Sequence, residues 1–463
     1  MIKRHNSAAI MPMISVTVLF FMWGFITSLN DVLIPYLQNA YSLSHFAANI
    51  VQFAFFIAYF LGSLVFFLCS RTGNDPISVW GYQKTLVIGL LIGSIACFLF
   101  AMSAYYHLQF GYFLAALFVL GLGLTFLQIA ANPFVAVIGS PDTASSRLNL
   151  SQAFNSLGTT LGPAIGGYLI FANFTKDSND VSAVIVPYLF LSALLLLLSA
   201  FIYWSKINDK METSNAQNAT SSSIFQRKYV ILGALGIFFY VGAEVAIGSN
   251  LVSFLRSTAA MSETLAASFL SYYWGGAMIG RFLGSISLSK MAKNKKLLFM
   301  LLLAVAGFSV IFAINYSLHH LTFAQVSLFL CFMLLNFLCF FIGKSRPART
   351  LAVFSLANAV LILCSITMKG DFSVWALLSI GLFNSIMWSN IFTLAIAKLD
   401  KTQTATASSI LIMMILGGAV LPPLQGLLTD LTGNIRLSFI VPLISYIYLL
   451  YYGVRGYRLG LEK

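Results

Sequence analysis

Charge is what this chain has least of: Asp, Glu, Lys and Arg make up 8% of its 463 residues, and the acidic share is 13 side chains. A soluble chain of this length draws about a quarter of its residues from those four types, so a water-facing globular protein is excluded. Cysteine is sparse too, and Cys69, Cys97, Cys331, Cys339 and Cys364 all fall inside apolar runs without metal-ligand spacing. They read as small buried side chains. His319 and His320 are adjacent in a short turn, which makes no chelate without further ligands. No Gly-rich phosphate loop and no Ser/His or His/Asp constellation is visible, so neither a metal, a cofactor nor an enzyme of the glycan-processing kind is expected. The longest polar stretch is 205–227, too short for the output domain of a membrane sensor.

Hydrophobic residues, by contrast, make up 59% of the chain. Fourteen apolar runs, from 12–39 to 436–455, are each long enough to cross a hydrocarbon layer of about 30 Å. They predict an all-α membrane protein of about 14 transmembrane helices. MIKRHNSAAIMP leads into a first run too long for a signal peptide and lacking a small-residue cleavage site, so a retained helix is expected. Net charge of +13 would suggest nucleic acid in a soluble chain. Here, with the N-terminus inside, 21 of the 26 Lys and Arg fall on the cytoplasmic side, Lys176, Arg256, Lys369 and Arg436 fall outside, and Arg281 lies within the eighth run. That asymmetry predicts a multi-pass protein of the cytoplasmic (inner) membrane with both termini inside, bound by lipid and not by nucleic acid.

The stretch 205–227 is rich in Ser, Asn and Thr with basic ends and reads as a cytoplasmic linker. Across it the chain repeats itself. NSLGTTLGPAIGGYL at 155–169 matches MILGGAVLPPLQGLL at 414–428 through Leu157/Leu416, Gly158/Gly417, Pro163/Pro422 and Gly167/Gly426, while FLGS at 60–63 matches FLGS at 282–285. The offsets are 259 and 222, so the second half has gained a helix pair between these anchors, most simply near 297–343. The expected plan is an N-terminal six-helix bundle over 1–204, the linker, and a C-terminal bundle over 228–463 carrying the insertion. Both halves have the same membrane orientation, the parallel-repeat arrangement of major facilitator transporters.

Two carboxylates lie well inside the runs, Asp31 and Glu244. Such a group costs roughly 2.5–3.5 kcal/mol to place in a bilayer and marks ion or substrate pathways, which makes both candidates for carrying a coupled proton. Arg281 must either pair, with Glu244 as the available partner, or reach for the cytoplasmic face. The amides Asn30, Gln128, Asn132, Gln152, Asn155, Asn384 and Asn390 offer neutral donors and acceptors to a hydroxyl-rich ligand or to neighbouring helices. Trp23 and Trp388 sit away from the run ends and could stack on the apolar face of a sugar. Gly121, Gly123, Gly158, Gly162, Gly166 and Gly167 read as helix-packing positions.

LFFMWGFITSLNDVLIP, LQIAANPFVAVIG, SSRLNLSQAFNSLGTTLGP, YVGAEVAIGSNL, GGAMIGRFLGS and GLFNSIMWSNIFTLAI closely resemble segments of the fucose, galactose and glucose:proton symporter family of the major facilitator superfamily. The resemblance covers nearly the whole chain except about 297–343. It implies proton-coupled sugar binding for Asp31 and sugar contacts for Gln152 and Asn155. The fucose permease carries Glu at the position of Gln128, whereas Glu244 in YVGAE matches the glucose/galactose branch, so a hexose of that type is the implied substrate, imported by a protein acting as a monomer. Trp388, Ser389 and Asn390 depart from the branch pattern FNSIMFPTIF. Sodium remains an alternative coupling ion, since a carboxylate among amide oxygens also ligates a hard cation, and a fucose or amino sugar an alternative substrate.

Overall fold

A computed structural model describes residues 12–28, 37, 40–41, 45–72, 76–167, 181–205, 222–261, 263–319 and 321–460. Each of the fourteen apolar runs contains helix, and no strand occurs among the described residues. The first half supplies α1 (Pro12–Ser28), α2 (His45–Arg71), α3 (Pro76–Tyr105), α4 (Phe110–Val137), α5 (Ala144–Gly167) and α6 (Ile185–Trp204). The second supplies α7 (Lys228–Ala259), α8 (Glu263–Ser287), α9 (Lys293–His319), α10 (Phe323–Gly343) and α11 (Pro347–Thr367). Two further runs are broken helices, α12 (Asp371–Asn384) with α13 (Met387–Ala395), and α14 (Lys401–Met413) with α15 (Gly417–Thr432); α16 (Ile440–Val454) closes the bundle. Eleven spans among the described residues are long and apolar enough to cross a membrane.

The helices gather into two compact units. The first is drawn from Met1–Gly139, Phe154–Ile224 and Lys398–Met413, the second from Ser140–Ala153, Phe225–Ala397 and Met414–Lys463. In the first, α3 packs on α4 and α6, and α14 packs on α2 and α4, where the Ser408 hydroxyl donates to the Ile129 carbonyl at 3.3 Å. In the second, α11 packs on α12 and α16 as α3 does on α4 and α6. The opening turns of α5 belong to this second unit: Ser145 Oγ and Thr393 Oγ1 are 2.6 Å apart, and Ser146 donates to the Ser285 carbonyl.

The duplication read from the sequence reappears inside each unit. A Cβ on Gly158 of α5 would strike the Phe21 carbonyl of α1, and one on Gly417 of α15 would strike the Phe238 carbonyl of α7. Equivalent glycines thus let equivalent helix pairs touch backbone to backbone. Gly123 likewise meets the Gly89 carbonyl, while Gly121 and Gly162 leave room for the side chains of Ala58 and Ser28. The segment 297–343, expected as an inserted pair, forms α9 and α10, with α9 lying along α8 and α10 along α11 and α12. Its outward positions stay bare, Leu298, Leu301, Leu302 and Val305 each being more than half exposed, as a lipid-facing surface would be.

Candidate functional site

Helical spacing starts the site. Tyr240 and Glu244 stand four residues apart on α7, hence on one face, and the Tyr240 hydroxyl donates to Glu244 Oε1 at 2.8 Å. Arg281, from α8, brings Nη2 to 3.4 Å from the same oxygen, with both side chains 13% exposed. Two charges so far from water are tolerable only together, because each alone would keep its full desolvation cost. The guanidinium has a further partner made by a defect: α12 and α13 break at Ser385 and Ile386, and the Ser385 carbonyl accepts from Arg281 Nε at 3.3 Å. Gly280 makes this approach possible, since a Cβ there would strike Ser385.

Neutral groups continue the network. The Tyr273 hydroxyl donates to the Glu244 backbone carbonyl at 3.0 Å and accepts from Asn384 Nδ2 at 3.0 Å. Asn384 Oδ1 in turn accepts from Tyr446 at 2.6 Å and from Asn358 Nδ2 at 2.9 Å. Asn384 is therefore fully enclosed and already bonded through both ends of its amide, a hub joining α8, α11, α12 and α16. Asn390 lies elsewhere, donating to the Pro347 carbonyl at 3.3 Å, and Trp388 stacks on Phe392 with ring centroids 5.1 Å apart. Gln152 is buried in the same unit.

The first unit holds a second polar group. Tyr59 is hydrogen-bonded with the side chains of Trp23 and Gln128, while Trp23 also packs against Phe20 at 5.4 Å between centroids. Asn132 donates to the Gln128 carbonyl at 2.8 Å, which leaves its buried Oδ1 without a partner. Asn155 donates to the Phe20 carbonyl at 3.0 Å. Asn30 and Asp31 lie outside the described residues. Among the described residues no three His, Cys, Asp or Glu come together as metal ligands.

Sequence reasoning did not single out Tyr59, Tyr240, Tyr273, Asn358, Ser385 or Tyr446. Only Tyr240 carried a signal, its four-residue spacing from an acid; the others come from helices distant in sequence.

Comparison with known proteins places these features in a group. The sequence profile of the Major Facilitator Superfamily matches residues 16–345. The chain is 38% identical to a glucose/galactose transporter of Brucella abortus, over 96% of this chain and 93% of that protein. It is also 38% identical to a putative glucose/galactose transporter of Helicobacter pylori, over 96% of each. The solved structure of the Escherichia coli fucose:proton symporter aligns with a TM-score of 0.75 at 25% identity, covering 96% of this chain and 98% of that one.

Proposed function

The chain belongs to the major facilitator superfamily, and we propose that it is a secondary active transporter importing a hexose of the glucose or galactose type together with a proton. The substrate class follows the relatives at 38% identity. The observation that carries the coupling is the Glu244–Arg281 pair, enclosed among neutral phenols and amides. A proton taken up by Glu244 cancels one of the two charges, so Arg281 passes to uncharged partners such as the Ser385 carbonyl at the helix break. A group whose bonding changes with its proton can bias two conformations of a protein, provided that it binds the proton more tightly in one of them.

Asp31 takes the leading role in coupling and Glu244 the second. Sugar hydroxyls are met in the first unit by Gln128, by Tyr59 and by the unspent acceptor of Asn132, beside the Trp23 ring. Asn30 and Asn155 add amides there, while in the second unit Gln152 and Trp388 are an amide and an aromatic face of the kind a sugar takes. Asn384 and Asn390 act on the sugar through the helices they fasten. The duplicated halves 1–204 and 228–463, joined by 205–227, are the bodies that alternate. The protein works as a monomer in the cytoplasmic membrane with both termini inside.

Uptake into proteoliposomes from a panel of labelled sugars, under an imposed pH or sodium gradient, tests this directly. Accumulation of glucose or galactose under an inward proton gradient is expected. Accumulation under a sodium gradient alone would replace the proton by sodium, and accumulation of fucose or an amino sugar alone would replace the hexose.

A further inference from the structure

The helix pair α9 and α10 meets the end of α8 and the turn after α10 around a cavity of about 400 Å³ that the transport reading leaves unused. It is lined by Lys293, Lys296 and Lys344 with Ser287 and Ser345, and by the apolar side chains of Leu297, Met300, Phe340 and Phe341. Lys296 is held in place, donating to the Ser287 carbonyl at 2.9 Å and to Ser345 Oγ at 3.0 Å, and Ser345 Oγ donates to the same carbonyl at 2.6 Å. The turn that presents Lys344 and Ser345 holds both at positive φ, 51° and 55°, a conformation that non-glycine residues adopt only where the surroundings enforce it.

No carboxylate in this part of the chain answers these ammonium groups. Residues 264–370 contain nine Lys and Arg and no Asp or Glu. The acid that reaches the area, Asp142, is bonded to Lys290 at 2.9 Å. Among the described residues no Asp or Glu pairs with Lys293, Lys296 or Lys344, which leaves these ammonium groups open to an anion from outside the polypeptide. A free phosphate would satisfy the lysines and leave the apolar part of the lining unused, whereas a phospholipid would use both. The bare apolar face of α9, with Leu297 and Leu301 about half exposed, runs away from the cavity along the path of an acyl chain. Basic pockets between helices on the cytoplasmic side of a membrane take anionic headgroups in this way.

We propose that this cavity binds the phosphodiester headgroup of an anionic glycerophospholipid, with its acyl chains along α9. The pair α9 and α10 is then a lipid-docking element of the transporter. The full chain, purified in detergent and titrated with phosphatidylglycerol or phosphatidylcholine, should bind one phosphatidylglycerol in preference, as counted by native mass spectrometry. Each lysine near a headgroup is worth about fivefold in affinity. K293Q/K344Q should therefore lose about 25-fold on the first lipid, K293R/K344R should retain it, and K398Q/R455Q, an equal charge loss elsewhere, should leave it unchanged. Millimolar inorganic phosphate should not displace the lipid. Equal affinity for the two lipids, equal loss in both glutamine variants, or displacement by phosphate would each overturn the proposal.

Discussion

Glu244 illustrates how much of a residue's meaning depends on its neighbours. Its position within an apolar run marks it as costly, and the structure surrounds it with Arg281, Tyr240 and Tyr273. Removing one member of a buried ion pair leaves the other uncompensated. Arg281→Ala should lower stability by about 3 kcal/mol, read as thermal unfolding of the purified protein in detergent, while Tyr240→Phe, which deletes one hydrogen bond, should cost about 1 kcal/mol. Equal effects of the two would mean that the charge pair adds nothing beyond a neutral bond. Asn384 teaches the opposite lesson: the residue type suits sugar recognition, yet three side chains already occupy its amide.

At the scale of the element, the repeat alignment pairs Gly158 with Gly417 and Gly167 with Gly426, but packing separates the pairs. Gly158 and Gly417 sit against carbonyls of α1 and α7, whereas a Cβ on Gly426 meets nothing within 4 Å. Gly158→Leu and Gly417→Leu should each abolish accumulation of folded protein. Gly426→Ala should be tolerated and gain up to about 1 kcal/mol of helix stability, since glycine is a poor helix former. Expression level and melting temperature distinguish these outcomes. The break at Ser385 belongs to this scale as well. It frees the carbonyl that Arg281 takes, and nothing in FNSIMW, which contains neither Gly nor Pro, announces a broken helix.

For the whole molecule, coupling requires that proton and sugar favour the same conformation, so a carboxylate made permanently neutral should imitate the loaded state. Asp31→Asn should keep sugar exchange across proteoliposomes near its normal rate while uphill accumulation falls to the level without a gradient. Accumulation equal to that of the unmodified protein would remove Asp31 from the mechanism. Sequence alone determined the class of molecule, the positions of the helices and the repeated plan of the fold. These follow from hydrophobic length, charge asymmetry and spacing, which are properties of the chain read in order. Tertiary structure decided the partners. Arg281 meets Glu244 across 37 positions, Asn384 meets Tyr446 across 62, and Lys296 meets Ser345 across 49. Such bonds depend on how helices turn and cross, which residue spacing along one helix does not specify.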